Sequence, residues 1–456
     1  MAQRTALIAG IAVIAVVVLA AAFLATRGGQ PATTPVSPTG TQPAATTPQQ
    51  ATTPQETAPQ QTQTMQQPAA GGLQGTIEIG ALLPLTGDLA SYGENSKAAL
   101  ELAQEDINKF LEKAGAPFRI KIVIEDTETK PDVALQKLQA LAQKGIKIFI
   151  GPMTSAEVKQ LKGYADQNKL LIISQSSTAP SLAIPDDYIF RFCPTDRIQG
   201  PVIAKIARDF GKQAIVIMWR GDAWGDGLHD AVKEAAQKLG IEVVDGPRYA
   251  PDAKEFAGEV DKLANIVQEL VNKYGADKVA VVYIGFNEVV QVMSTAAQYD
   301  VLGQVMWFGS DGTALLAELL EDPAAAEFAA KVKFLNPIFA ATKSQKMEDI
   351  VKRLQERLGR EPDTYALAAY DAAWVVTLSL LATQKYDATA VKNILADVAY
   401  NYFGATGWIV LDKAGDRAFA DYNLYVVVKE DGQYKWKLAG TYHYASDSFT
   451  WYINIQ

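Results

Sequence analysis

The chain has 456 residues, of which 48% are hydrophobic, and a formal net charge of −9 at pH 7. That length is too great for one ordinary core and predicts two or more domains. The acidic balance argues against a nucleic-acid partner, which would favour a basic face. With one cysteine, Cys193, and two histidines, His229 and His443, we expect no disulfide, no metal and no cofactor, and an enzyme is disfavoured.

The N-terminal segment has twenty consecutive uncharged, mostly apolar residues from Ala6 to Ala25, with Arg4 before them and Arg27 after. That length is enough to cross a bilayer as one helix. We therefore interpret residues 1–27 as a single-pass anchor in the cell membrane, with the folded body on the extracellular or periplasmic side. A cleavable signal segment is the alternative, because small residues near its end could be cut.

Residues 28–75 form a second segment, in which Pro, Thr, Gln and Ala recur with almost no charge. So few large apolar side chains occur here that no core can form. We predict a disordered stalk between the anchor and the body, and its threonines are candidates for O-glycosylation.

From Thr76 onward, short apolar runs alternate with longer amphipathic stretches. Apolar runs of strand length are typical of parallel strands buried on both faces. Seven runs are predicted as strands: Ile77–Leu83, Ile120–Ile124, Ile146–Ile150, Leu170–Ile173, Ala214–Met218, Val279–Ile284 and Val305–Phe308. Seven stretches between or beside them are predicted as helices: Ser96–Lys113, Val133–Lys144, Ser155–Asn168, Ile198–Phe210, Gly227–Lys238, Phe256–Lys273 and Asn287–Tyr299.

This alternation predicts an α/β protein with doubly wound parallel sheets. About 380 residues of it exceed one sheet, so two lobes are expected. We assign residues 76–192 and about 338–403 to the first lobe, and residues 193–337 and about 404–456 to the second. The tail differs, since Trp408–Leu411, Leu424–Lys429 and Tyr434–Tyr442 have the pattern of antiparallel strands.

Motifs for nucleotide chemistry and for serine hydrolysis are missing from the sequence. No Gly-x-Gly-x-x-Gly follows a predicted strand, and no Gly-x-x-x-x-Gly-Lys-Ser/Thr or Gly-x-Ser-x-Gly occurs. The loops at the carboxyl ends of the strands remain as the candidate site, because ligands of open α/β sheets bind there.

The first lobe offers hydroxyl groups in these loops. Thr154 and Glu157 fit a capping box at the start of a helix, and a helix N-terminus is also a good seat for a carboxylate. Four hydroxyl residues lie within Ser174–Thr178, more than a turn needs. We infer an anion site from these two loops together, and Tyr92 in the first loop is either a ligand wall or packed on its own lobe.

The second lobe offers a carboxylate and aromatic rings. Trp224 and Phe286 follow strands, and Asp311 follows another strand between two glycines. A carboxylate in the second lobe would bind the ammonium group of an α-amino acid, and the hydroxyl-rich loops of the first lobe would bind its carboxylate. The alternatives are an Asx turn for Asp311 and simple packing for Trp224.

At these residues the chain resembles the periplasmic leucine/isoleucine/valine-binding proteins, the type I solute receptors of ABC importers. The resemblance covers the body from Ile77 onward and is strongest at Ile79–Gly93, Ile150–Ser155, Ser174–Pro180, Asp222–Gly227, Gly309–Gly312 and Tyr365–Ala373. It implies two Rossmann-like lobes joined by a multi-strand hinge. It also implies a non-catalytic receptor that captures an amino acid, of branched-chain type, by hinge closure and delivers it to a membrane permease.

The resemblance also implies roles for individual residues. Groups that would hold the ligand carboxylate are Ser155, Ser176, Ser177 and Thr178. Asp311 would hold the ammonium, where leucine-binding members carry glutamate. Aromatic walls would be Tyr92, Trp224, Phe286 and Tyr365. A ligand-sensing ectodomain, or a receptor for an amide, urea or an aromatic acid, remains an alternative.

Overall fold

The computed structural model describes residues 72–455. The predicted anchor, and residues 28–71 of the predicted stalk, lie outside the described residues. In chain order the strands are β1 (Gly75–Leu83), β2 (Phe118–Asp126), β3 (Ile148–Ile150), β4 (Leu171–Ser174), β5 (Ile189–Pro194), β6 (Ala214–Arg220), β7 (Glu242–Tyr249), β8 (Val279–Ile284), β9 (Met306–Phe308), β10 (Leu335–Phe339), β11 (Phe403–Gly404), β12 (Gly407–Trp408), β13 (Asp416–Arg417), β14 (Tyr422–Glu430), β15 (Gln433–His443) and β16 (Ser448–Trp451).

The α-helices alternate with these strands over most of the described chain. They are α1 (Ala90–Lys113), α2 (Pro131–Gln143), α3 (Ser155–Asn168), α4 (Asp196–Asp209), α5 (Ala223–Lys238), α6 (Ala257–Tyr274), α7 (Val289–Ala296), α8 (Ala317–Glu321), α9 (Pro323–Lys331), α10 (Gln345–Leu358), α11 (Thr364–Thr383) and α12 (Ala388–Tyr400).

The strands form two large sheets, one in each lobe. The first sheet has the order β13-β5-β4-β3-β1-β2, and all its pairs are parallel. The second has the order β16-β15-β14-β10-β9-β8-β6-β7, in which β6 to β10 are parallel and β14 to β16 are antiparallel. The predicted α/β class with doubly wound parallel sheets is therefore confirmed.

Helices cover both faces of the first sheet. Leu82, Phe149 and Ile172 pack with α2 and α3 in one apolar cluster, and α1 lies with α10 and α11 on the opposite face. Every residue of β3, β4, β6 and β8 is buried, which is why these strands have continuous apolar runs. Within residues 72–455, α11 is the one helix long and apolar enough to cross a membrane, yet 72% of its most apolar stretch is buried inside the protein, as in a core helix.

The chain passes between the lobes three times, after β5, β10 and β13. The predicted lobe boundary near residue 404 is wrong, because β13 pairs with β5 and keeps the chain in the first lobe as far as Arg417. A buried ion pair stabilises this pairing: the Arg191 guanidinium donates to both carboxylate oxygens of Asp416, at 2.6 and 2.5 Å.

Candidate functional site

A small cavity of ≈ 30 Å³ lies between the lobes, at the carboxyl ends of the strands. It is lined by Leu89, Tyr92, Met153, Thr154, Ser155, Ser176, Trp224, Phe286, Asp311, Gly312 and Tyr365. The structure thus brings together seven of the nine predicted site residues: Tyr92, Ser155, Ser176, Trp224, Phe286, Asp311 and Tyr365.

The first lobe contributes the N-terminus of α3. Thr154 Oγ1 accepts from Glu157 N at 3.1 Å and the Glu157 carboxylate accepts from Thr154 N at 2.9 Å, so the predicted capping box is confirmed. This cap fixes the first turn of α3 and places Ser155 against the cavity. Gly151, which leads into the turn, has φ of +88°, and a Cβ there would lie 2.1 Å from Leu82 O. No other residue fits this close approach.

Ser177 and Thr178, which the resemblance also assigns to the ligand carboxylate, are not among the residues that line the cavity. Ser177 Oγ lies 2.9 Å from Ser155 Oγ, and Thr178 Oγ1 donates to Asp196 Oδ2 at 2.9 Å. Both hydroxyl groups are therefore engaged within the protein, where they position the loop after β4. Ser176 remains at the cavity, and its Oγ donates to Met153 O at 2.8 Å.

The second lobe contributes Asp311, which is 3% exposed. Its Oδ2 accepts from the Tyr365 hydroxyl at 2.5 Å, whereas its Oδ1 has no hydrogen-bond partner within the described part of the chain. Burial raises the pKa of Asp311 above its ordinary value. A buried carboxylate oxygen without a partner is costly, so this atom is a natural acceptor for a ligand donor.

Two stacked rings form one wall of the cavity. The centroids of the Trp224 and Phe286 rings are 4.7 Å apart with an interplanar angle of 15°. The Arg220 guanidinium lies over the Phe286 ring, with its Cζ 4.7 Å from the ring centroid. Asp222 accepts from Trp224 N and so caps the helix that carries the indole. Gly312 lets the loop approach this wall, since a Cβ there would lie 2.7 Å from the indole.

Direct contacts between the lobes close the cleft around this cavity. The Tyr92 hydroxyl, from the first lobe, donates to Asp311 O at 3.0 Å and also to Ala314 O. Ser91 Oγ donates to Glu318 Oε2 at 2.7 Å. Because both donors belong to α1 and all the acceptors belong to the second lobe, these bonds exist when the lobes are together.

The periplasmic binding protein family matches residues 76–433, which is most of the chain. The chain belongs to the periplasmic binding protein family. This family consists of solute-binding receptors rather than enzymes, and membership implies a body outside the cytoplasm. The predicted resemblance to the leucine/isoleucine/valine-binding type is confirmed by the relatives that follow.

Two relatives of this binding protein match over most of its length, and a third matches over less than half of it. An uncharacterized protein of Methanocaldococcus jannaschii is 36% identical, over 84% of this chain and 93% of its own. A Leu/Ile/Val-binding protein of Rhizobium johnstonii is 26% identical, over 76% of this chain and 91% of its own. A chemotactic signal transduction substrate-binding protein of Halobacterium salinarum is 27% identical, over 44% of this chain and 54% of its own.

Solved structures have the same two-lobed fold as this binding protein. A leucine-binding protein from Thermotoga maritima has a TM-score of 0.67 and 20% identity, covering 79% of this chain and 97% of its own. The substrate-binding protein of a branched-chain amino acid transporter from Streptococcus pneumoniae, in complex with isoleucine, has a TM-score of 0.64 and 22% identity, covering 80% and 99%. These similarities establish the fold.

Four cavity residues of this binding protein were not predicted as site residues: Leu89, Met153, Thr154 and Gly312. Leu89 and Met153 lie in loops that the sequence does single out, but an apolar side chain in a loop has no chemical signature of binding. Thr154 was assigned to helix capping, which it also performs. Its side chain therefore has two functions that spacing alone does not separate.

Proposed function

We propose that this protein captures an α-amino acid, of branched-chain type, outside the cytoplasm and presents it to the membrane permease of an ABC importer. The observation that carries the proposal is the Oδ1 atom of Asp311, which has no hydrogen-bond partner within the described residues and belongs to a residue that lines the cavity between the lobes. An ammonium group beside that oxygen would supply both the missing donor and the missing positive charge.

The opposite side of the cavity suits the other end of such a ligand. The N-terminus of α3, with the Ser155 side chain in its first turn, faces the cavity from the first lobe. Backbone N–H groups and the partial positive charge of a helix N-terminus favour a carboxylate. A zwitterionic ligand would therefore span the cleft from Ser155 to Asp311.

The apolar lining supports an aliphatic side chain on the ligand. Leu89, Met153, Trp224 and Phe286 supply aliphatic and aromatic surface around the polar groups. A site with a few placed polar groups and a mostly apolar wall is typical of specific small-molecule receptors. The relatives that are named for leucine, isoleucine and valine support the same ligand class.

Ligand binding would couple to movement of the lobes about their three connections. Contacts of Tyr92 and Tyr365 with the Asp311 loop form across the cleft, so a ligand that touches both sides stabilises the closed state over an open one. The capture step needs no covalent chemistry.

A calorimetric titration of the protein tests the proposal. L-leucine, L-isoleucine, L-valine and L-alanine are compared with an amide, urea and 4-hydroxybenzoate. We expect the branched amino acids to bind most tightly. Asp311→Ala should lose about 2–5 kcal/mol of binding free energy, because a buried charge pair is broken. Asp300→Ala, at an exposed residue of the same lobe, is the matched control, and unchanged leucine affinity in Asp311→Ala would contradict the assignment.

A second candidate function is ligand sensing, which is supported by the Halobacterium salinarum relative, a substrate-binding protein of a chemotactic signal transduction system. The same capture step would then signal to a membrane transducer instead of feeding a permease. Affinity purification of the full chain from its native membrane, followed by mass spectrometry, separates the two. Recovery of permease and ATPase subunits supports transport, and recovery of a transducer supports sensing.

A further inference from the structure

A second buried carboxyl group lies close to Asp311. Asp196, the first residue of α4, is fully buried. Its Oδ2 accepts from Thr178 Oγ1 at 2.9 Å and its Oδ1 accepts from Gln199 Nε2 at 2.9 Å. Asp196 is not among the residues that line the cavity, so a ligand in the cavity does not touch it.

Gln199 connects the two carboxyl residues. While its Nε2 donates to Asp196, its Oε1 accepts from Asp311 N at 2.9 Å. Burial and the neighbouring Asp311 raise the pKa of Asp196 well above its ordinary value. Two like charges in one buried site are unfavourable, and such pairs ordinarily share a proton.

Within residues 72–455, the groups that act on the Asp196–Asp311 pair supply no free positive charge. The Tyr92, Tyr365 and Tyr422 hydroxyls and the Cys193 thiol face the pair, and burial raises the pKa of each, so they stay neutral. Glu318 and Asp363, which act electrostatically on Tyr92, are also acidic and add no positive charge. Arg191 acts on Asp196 electrostatically, but its guanidinium is paired with Asp416.

We propose that the Asp196–Asp311 pair holds one proton in the ligand-free protein and releases it to solvent when the ammonium group of the ligand binds beside Asp311. The proton leaves as the ammonium arrives, so the net charge around the two carboxyl groups stays the same, while the ligand's own carboxylate lies on the opposite side of the cleft. This inference rests on the proposed function, because it needs a cationic group on the ligand.

The position of Asp196 explains why the proton remains when the cleft is open. Opening would expose Asp311 to water, but Asp196 lies at the first crossing between the lobes and is held by Thr178 on one side and Gln199 on the other. It therefore stays buried and keeps the higher affinity for the proton. A proton and the ligand's ammonium then compete for the same pair of carboxylates.

Calorimetry of the full chain with L-leucine tests this exchange. Titrations at one pH in buffers of different ionisation enthalpy give the number of protons released. Over the pH range in which the pair holds its proton, we expect about one proton per leucine and a dissociation constant that falls about tenfold for each unit of rising pH. Equal enthalpies in all buffers, together with an affinity profile that stays flat over the whole pH range in which the protein is folded, would overturn the proposal.

Two variants locate the proton. Asp196→Asn should abolish proton release and flatten the pH profile while leucine still binds. Thr178→Val removes one donor to the Asp196 carboxylate, raises its proton affinity, and should move the profile to higher pH. Asp300→Asn should behave as wild type. A purely structural role for Asp196 would lower affinity without changing the pH profile.

The outcomes separate this inference from the proposed function. If leucine binds without proton exchange, the receptor assignment stands and the shared proton is refuted. If none of the amino acids binds, both are refuted. If Asp196→Asn does not fold, the wild-type buffer series and the Thr178→Val profile decide the question.

Discussion

Arg220 Nη1, in the second lobe, donates to Asp88 Oδ2 of the first lobe at 3.1 Å. The same guanidinium is bonded to Asp222 and Glu288 of its own lobe, at 2.8 Å in each case. Arg220 is thus already neutralised before the cleft closes, and Asp88 adds an attraction that exists between the closed lobes. This pair favours closure without touching the ligand.

Asp88→Ala should weaken ligand binding modestly. The Asp88 side chain is 30% exposed, so solvent screens the pair and we expect a loss of about 0.5–1 kcal/mol. The difference from wild type should shrink as salt is raised. Isothermal titration with L-leucine at low and high salt measures it. Glu234→Ala, which breaks an exposed ion pair within one lobe, should leave affinity unchanged, and an equal loss in both variants would exclude a role in closure.

Tyr365→Phe should both weaken binding and change its pH dependence. The hydroxyl is bonded to the Asp311 carboxylate, and hydrogen bonds to charged groups contribute about 1.5–3 kcal/mol. Burial raises the pKa of Asp311 and the Tyr365 bond opposes that rise. Without the hydroxyl the pKa rises further, so protonation should reduce leucine affinity from a higher pH downward than in wild type. Titrations across the acidic range check this shift, and a profile that coincides with wild type would contradict it.

Trp224→Ala should alter which ligands bind. The substitution removes the ring that stacks on Phe286 and enlarges the cavity on its apolar side. We expect leucine affinity to fall and the relative affinity for L-phenylalanine to increase, whereas Trp224→Phe should retain most of the wild-type preference. Competition binding with the two amino acids measures the ratio. Trp408→Ala, at a ring that is 56% exposed and outside the cavity, is the control.

Asp416→Ala should destabilise the first lobe strongly. The change leaves the Arg191 guanidinium buried without its carboxylate, at an expected cost of about 3–5 kcal/mol. Urea unfolding followed by fluorescence measures this loss. Replacing both residues, as Arg191→Met with Asp416→Leu, should recover most of it, since no unpaired charge remains. A double variant as unstable as the single one would show that packing, not charge, causes the effect.

The sequence predicts the buried centre of each lobe better than its edges. Val279–Ile284 is one continuous apolar run because β8 is covered on both faces, and its bounds match the prediction. Edge strand β7 is half-exposed and polar at several positions. It therefore has no continuous apolar run, and the sequence did not predict it as a strand. Residues 188–194 were assigned near a lobe boundary, and the first crossing does follow β5, but no pattern in the sequence indicates that β5 is also an interior strand between β4 and β13.

The same contrast holds for the cavity. Asp311 and Trp224 were predicted because they follow strands whose carboxyl ends meet at one edge of a sheet. Ser176 and Ser177 are adjacent and chemically identical, yet only the first lines the cavity. Which of two neighbouring hydroxyls faces a ligand depends on the path of the loop, and spacing along the chain does not contain that information.

The pairing of β13 with β5 has a consequence for synthesis of the chain. The parallel strands of the second lobe come from the continuous stretch between residues 214 and 339, so they can assemble as soon as that stretch has emerged from the ribosome. The first sheet is completed later, because Asp416, the partner of Arg191, is synthesised 225 residues after it. Until then Arg191 lacks Asp416, its ion-pair partner, and we expect completion of the first sheet to be the late step of folding.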